Sequence, residues 1–318
     1  MNKNHNLIDF NTIEDVKQLL AANSIATLSA AIAAQKINLE LVIEALQDKS
    51  KKIQWGAYSI LQEIEESQVI QALSEYQWEA SRLLELYANG NRKFIRANLS
   101  DTELIDANLT GINLSSANLK NANLRNTNFS KANLQNADFT DAYLSCCNFS
   151  EACLIGADFS NAFMWGVNLS NVNLSGMYLV DIYLSHANFQ NANLSQANLS
   201  YANLKGVDFS HANLSQIILK NANLSHVNLK RVNLQEANLK NANFSGANLQ
   251  EADLKDANLQ YAELWDANLS RINFFGADLS NANLESANLQ DANLENVNLE
   301  NANLENANLD GCKLPEKS

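Results

Sequence analysis

The side chains with the chemistry to hold a metal, attack a substrate or move protons are four histidines, four cysteines and a large excess of carboxylates. Cys146, Cys147 and Cys153 lie close together and Cys312 stands apart. None of these spacings matches a zinc-ligand pair or a disulfide framework, so they read as free thiols in a reducing compartment. The histidines, His5, His186, His211 and His226, sit in no motif with a nucleophile or a second ligand. No glycine-rich phosphate loop occurs. The residues therefore point away from catalysis, metal and cofactor, and leave aromatic side chains as the candidates for binding.

Whatever positions these groups must obey one pattern. Every fifth residue from Phe94 to Leu314 is Leu or Phe, except Met164, with no slip of register. Two residues before most anchors stands a small residue, as at Ala117, Ala122, Ala132 and Ala137, and one before stands Asn or Asp, as at Asn118, Asn123, Asn133 and Asp138. Five residues advance an α-helix by roughly 500°, so the anchors would spiral round it. On a flat strand an odd period sends successive anchors to opposite faces. They share one core only if the backbone turns by a similar angle in every pentapeptide. Asn and Asp suit such turns, because they tolerate unusual backbone angles and bond nearby backbone. Phe129 and Phe149, Phe139 and Phe159, Phe189 and Phe209, and Tyr143, Phe163 and Tyr183 recur 20 residues apart. Four pentapeptides per turn would stack each set in one column.

The array resembles the pentapeptide-repeat family, whose motif is A-(D/N)-L-x-x, over residues 91–314. The resemblance implies a right-handed quadrilateral parallel β-helix with four repeats per coil. About 11 coils, roughly 4.8 Å apart, would make a rod on the order of 50 Å long, with the small residues at its inner corners and Asn and the variable positions facing solvent. In this register His186 and His226 share a column two coils apart, roughly 10 Å, too far to share a metal. Cys147 and Cys312 fall in the Ala column and Cys153 faces outward.

Departures from the repeat carry more information than matches. The position before the anchor becomes Tyr143, Cys153, Phe163, Tyr178 and Tyr183, and Trp165 follows Met164. Ile218 and Glu263 are isolated departures. With four repeats per coil, Tyr143, Phe163, Trp165 and Tyr183 share one face. Two readings stay open. The five aromatics, Tyr178 included, are candidates for a partner-binding site, or they form an external ladder that stabilises neighbouring coils.

Residues 1–90 have a different character. Thr12, with Asp15 three residues on, can cap a helix. Helical stripes follow through Val16 and Leu20, through Leu39, Val42 and Leu46, through Ile53, Ala57, Ile60 and Leu61 after a capping Ser50, and through Val69, Ile70, Leu73, Leu83, Leu84 and Leu86. Asn89-Gly90 is a helix stop. This α-helical module, whose pairing resembles HEAT-like hairpins, is expected to cap the solenoid, because an uncovered strand edge invites aggregation. The lead-in SRLLELYANGNRKF resembles that of cyanobacterial members of the family.

A net charge of −13 disfavours direct binding to nucleic acid or to anionic membranes. No apolar run approaches 18 residues and MNKNHNLIDF is not a signal peptide, so the expectation is a cytoplasmic protein with no membrane partner. Between Arg271 and Lys313 there is no Lys or Arg, while Asp278, Glu285, Asp291, Glu295, Glu300, Glu305 and Asp310 accumulate. Some members of the family bind a type II topoisomerase by imitating duplex DNA, and this is the alternative function. Those members usually end in a dimerising helix, whereas this sequence ends in LPEKS. After Leu314 the tail 315–318 cannot cover a coil, so a homodimer through the C-terminal coil is a further expectation. The leading reading is a non-enzymatic scaffold or regulator that binds a protein partner.

Overall fold

A computed structural model describes residues 12–35 and 37–314. His5, the opening MNKNHNLIDF and the tail 315–318 lie outside the described residues. Six short helices come first: α1 (Ile13–Ala21), α2 (Ile25–Ala33), α3 (Leu39–Glu44), α4 (Lys51–Leu61), α5 (Ser67–Glu75) and α6 (Ala80–Ala88). Thr12 caps α1 as its spacing predicts. Its hydroxyl accepts the Asp15 N–H at 3.3 Å while the Asp15 carboxylate accepts the Thr12 N–H at 3.2 Å. Ser50 stands at the start of α4, but its hydroxyl makes no capping bond. Asp48 fixes the approach to α4 instead, accepting the Ser50 N–H at 2.7 Å and pairing with Lys17 of α1 at 2.8 Å. α1 crosses α4 at Gly56, where a Cβ would lie 2.9 Å from Leu20 Cδ2. Ile70 and Leu84, counted above among the apolar stripes, are exposed. α6 stops as Asn89-Gly90 requires: Gly90 turns left-handed with φ 92°, and the Asn91 N–H bonds the Leu86 carbonyl at 3.1 Å.

The pentapeptide is built the same way throughout the rod. In Asn113–Ala117 the anchor Leu114 is buried. The Ala117 N–H bonds the Leu114 carbonyl at 3.0 Å, closing a tight turn, and Ser116 inside it has φ 56°. The Asn113 side-chain oxygen accepts the Ser115 N–H at 3.0 Å. This positive φ recurs at the second residue after each anchor, from Arg96 to Gly311. The bend does not fall at the Asn or Asp before the anchor, where the preference of these residues for turns would put it. Asn before the anchor does not bend; it pairs with the next coil and its side chain braces the bend. The bending residue is the second variable one, often Asn, Asp or Gly, the types that tolerate a left-handed backbone.

Coils stack in parallel with a repeat of 20 residues, as in Asn98 with Asn118 and Asn118 with Asp138. Four pentapeptides therefore make one coil. A regular rung has three bonds: between Tyr143 and Phe163 these are Leu144 N–H to the Phe163 carbonyl, Cys146 N–H to the Trp165 carbonyl and Phe163 N–H to the Ala142 carbonyl, each 2.9 Å. Inside, the phenylalanines stack in the columns expected from their spacing, Phe129 on Phe149 at 5.5 Å, Phe139 on Phe159 at 5.0 Å and Phe189 on Phe209 at 5.3 Å. Outside, many of the Asn amides reach their column neighbours, as Asn168 to Asn148 at 2.9 Å and Asn148 to Asn128 at 3.1 Å.

Where Asp replaces Asn, the same bracing makes stability depend on pH. Burial alone would raise the Asp138 carboxyl, but the Thr140 hydroxyl and N–H, with Lys120, hold it below its usual range. Asp208 is held down against burial by Ser210 and Gln190, and Asp278 by Ser280, Gln260 and Asn298. A carboxyl lowered on folding contributes stability above its unfolded pKa of about 3.9, and that contribution is lost as pH falls through the folded value. The urea midpoint is expected to hold from pH 7 to about 5 and to fall below about 4. Changing all three to Asn should flatten that fall, and an unchanged acid profile would refute the assignment.

The helices meet the first coil through main chain as well as side chains. Gln77 pairs in parallel with Asn98, and the Trp78 N–H bonds the Asn98 carbonyl at 2.9 Å. The Gln62 side chain accepts the Ile95 N–H at 3.0 Å and the Tyr58 hydroxyl donates to the Ile95 carbonyl at 2.7 Å. Arg96 spans to the Gln62 and Ile64 carbonyls, both 3.0 Å, and to Glu65 at 2.6 Å. Trp55, which falls off the α4 stripe, packs with Tyr58 and Trp78 over Phe94, the first anchor.

Candidate functional site

Four of the five aromatics singled out above come together. Tyr143 and Phe163 stack at 5.1 Å with their planes nearly parallel, and the Arg125 guanidinium lies 5.9 Å from the centre of the Tyr143 ring. Phe163 pairs with Tyr183 through the backbone, but their rings do not continue the stack. They spread instead around an open groove of about 270 Å³, lined by Ser145, Phe163, Met164, Trp165, Tyr183 and Ser185. Trp165 meets the His186 ring edge-on at 5.9 Å. The ladder thus has one rung, and Phe163, which shares it with Tyr143, walls a recess together with Trp165 and Tyr183. All are about half-exposed or more.

Tyr178 is not part of this face. It lies 20 residues after Asp158, at 77% exposed, on the rim of a second and larger opening of about 580 Å³. There the rod is split. Between Cys153 and Asn173 and between Asp158 and Tyr178, the parallel rungs and all their backbone bonds are missing. The next rung, Phe163 with Tyr183, keeps one of its three bonds, from the Gly166 N–H to the Ser185 carbonyl at 3.0 Å. The fourth, Asn148 with Asn168, is intact and acts as the hinge side of a wedge.

The cause can be read in the corner column. Where Ala is usual, Val167, Val172, Met177 and Ile182 occupy four consecutive corners, a full coil. Single β-branched corners elsewhere keep the turn bond, at 3.1 Å at Ile112 and 3.2 Å at Val207 and Ile272, within the range of the Ala corners. At Val167, Val172 and Ile182 that bond is lost, unlike at the other described corners of the rod. Met177 is only partly buried and lines the opening. Four oversized corners in one ring exceed what the coil accommodates by local adjustment.

A family model described as pentapeptide repeats matches in eight overlapping copies, from 93–130 to 277–314. The chain belongs to the pentapeptide-repeat family. Its rod is the right-handed quadrilateral parallel β-helix of that family, preceded by the α-helices described above. Among solved structures, HetL, a pentapeptide repeat protein involved in heterocyst differentiation regulation in the cyanobacterium Nostoc sp. strain PCC 7120, is 36% identical, covering 76% of this chain and 99% of its own, with a TM-score of 0.48. QnrB1, a plasmid-mediated fluoroquinolone resistance protein, is 19% identical over 70% of this chain and 90% of its own, TM-score 0.36. Rfr23 from the cyanobacterium Cyanothece 51142 is 32% identical over 46% and 88%, TM-score 0.14. No curated protein sequence matches the chain.

Within the pentapeptide-repeat rod only Cys147, among the cysteines and histidines of the described residues, is buried. Cys147 is buried, its thiol pushed up by that burial, and it donates to the Leu124 carbonyl at 2.8 Å. Thr127, one coil earlier in the same column, donates to the Leu104 carbonyl at 2.6 Å. Cys312 is half-buried, Cys153 is half-buried on the outside and Cys146 is exposed. His186 and His226 lean over Gly206 and Gly246 of the following coils, where a Cβ would lie 2.8 and 2.6 Å from their rings. Among the described residues no three potential metal ligands come together, and no helix is long and apolar enough to cross a membrane. Sequence reasoning passed over Trp265, Tyr261 and Tyr201, all exposed. Trp265 repeats the position of Trp165 five coils on, and aromatics at outward variable positions were the available signal.

Proposed function

We propose that this pentapeptide-repeat protein is a non-enzymatic interaction scaffold or regulator. Its rod is rigid, its N-terminal module from residues 1–90 caps the first coil, and it binds a protein partner through the face of Tyr143, Phe163, Trp165 and Tyr183. The observation that carries this reading is the groove between Phe163, Trp165 and Tyr183. Large aromatics spread around a solvent-open recess fit an anchor residue from a partner, whereas a purely stabilising ladder would keep them stacked. The surface for a second copy is the last described coil, where Leu309 and Leu314 are exposed.

Changing Phe163→Asn together with Trp165→Ser tests the face. The stack of Tyr143 on Phe163 contributes about 0.5–1.5 kcal/mol, so the melting temperature should drop only slightly while capture of the native partner from lysate is lost. A large loss of stability with capture retained would make these residues a structural ladder. The acidic stretch after Arg271 keeps mimicry of DNA toward a type II topoisomerase as the second reading. Inhibition of supercoiling by micromolar protein would replace the scaffold reading with that one.

A further inference from the structure

The split between the coils at Cys153/Asn173 and Asp158/Tyr178 leaves two facing β-edges inside the rod. One lip presents the N–H groups of Leu154, Gly156, Phe159 and Asn161, and the other the carbonyls of Asn173, Ser175, Tyr178 and Val180, none of them bonded to protein. In every regular rung these donors and acceptors satisfy each other. Unpaired edges template another extended chain, and their main-chain bonds supply affinity independent of sequence. The opening of about 580 Å³ falls within the roughly 300–1,000 Å³ of ordinary ligand sites.

The lining limits what can enter. Ile155, Met177 and Tyr178 give it apolar walls, and Ser160, Asn173 and Ser175 add short polar groups. Asp158 is its one charged residue. The Ser160 N–H and hydroxyl both bond Asp158 Oδ1, at 2.9 and 2.6 Å, which leaves Oδ2 without a protein partner. The surroundings share this sign. No Lys or Arg occurs between Lys131 and Lys205, while Asp138, Asp141, Glu151, Asp158 and Asp181 do.

We propose that this cleft binds an extended peptide segment of a partner protein. The segment pairs with the lips through its backbone, packs apolar side chains against Ile155, Met177 and Tyr178, and places a Lys or Arg on Asp158. This deepens the scaffold reading and rests on it, but it uses a different surface from the aromatic groove. The Phe163→Asn/Trp165→Ser variant should bind peptide normally, so failure of one site is distinguishable from failure of the other.

The probe is a positional-scanning library of N-acetylated hexapeptide amides, read by fluorescence polarisation against the full chain. Pools fixed with Lys or Arg at one position should bind, and pools fixed with Glu there should bind at least about tenfold more weakly. N-methylation of the central amide of the best peptide should weaken it by about tenfold or more. Asp158→Asn, an exposed change that leaves the fold intact, should remove the preference for a basic residue. Restoring Ala at all four oversized corners should close the rungs, protect the Leu154, Phe159 and Asn161 amides from exchange and abolish binding. The proposal is overturned if no pool binds, if the N-methylated peptide binds equally well, or if those amides are already protected in the free protein. Binding that emerges only after deletion of residues 1–11 would assign the cleft to the chain's own N-terminal segment and overturn the partner.

Discussion

Phe149→Ala is expected to lower stability by about 3–5 kcal/mol, and to do so in only one half of the rod. Phe149 is fully buried, stacked on Phe129 at 5.5 Å and touched edge-on by Phe139 at 5.8 Å and Phe159 at 6.1 Å. Truncation leaves a cavity that a closed coil cannot collapse. In a solenoid each coil contacts only its neighbours, so stability spreads through the interfaces between them. The interface at the split lacks two rungs and most of a third. It should therefore couple the two halves weakly. The four tryptophans make this measurable: Trp55, Trp78 and Trp165 precede the split and Trp265 follows it. In single-tryptophan variants followed through urea, the Trp78 transition should move to lower denaturant and the Trp265 transition should stay. A common shift of both would show that the split transmits as fully as a regular interface.

The second large effect is expected at the other end of the core. Trp78→Ala should cost about 3–5 kcal/mol and, unlike the first variant, should make the protein associate as its concentration rises. Trp78 is almost wholly buried and meets Tyr58 at 4.9 Å, Tyr76 at 5.5 Å and Phe94 at 5.6 Å, each edge to face. Its backbone continues the first strand pairing. Loosening this cluster uncovers the edge of the first coil. Sedimentation velocity over a range of concentrations reads the association. Leu84→Ala, an exposed change on α6, is the control and should alter stability by less than about 0.5 kcal/mol. A Trp78→Ala protein that is destabilised yet monomeric throughout would mean the other helices cover the edge without it.

Much of this architecture is visible in the residues because a strict period leaves few geometries. The anchors, the 20-residue stacking, the phenylalanine columns and the pairing of Tyr143 with Phe163 all follow from counting. Local chemistry also marks the Thr12 cap and the end of α6 at Gly90. Three things escape such counting. The bend could not be placed, because Asn is common both before the anchor and at the left-handed position, and only backbone angles separate bracing from bending. Tyr178 shares a repeat position with Tyr183, but five residues turn the chain onto the adjacent face. The split depends on Val167, Val172, Met177 and Ile182 acting together. Each alone is an ordinary replacement for Ala, and at Ile112 or Ile272 the rung keeps its pairing and its backbone bonds.

The left-handed residue in every pentapeptide also makes the rod a counting device. Each five-residue unit turns the chain by one quarter and each set of four advances it by one rung. Loss or gain of 20 residues would therefore change the distance between the helices and Trp265 by roughly 4.8 Å while keeping every face in line. Loss or gain of five would swing everything downstream through a right angle and carry Trp265 away from the side of Trp165. Length and azimuth of a displayed group are thus set separately, in steps, by the number of repeats and by its remainder on division by four.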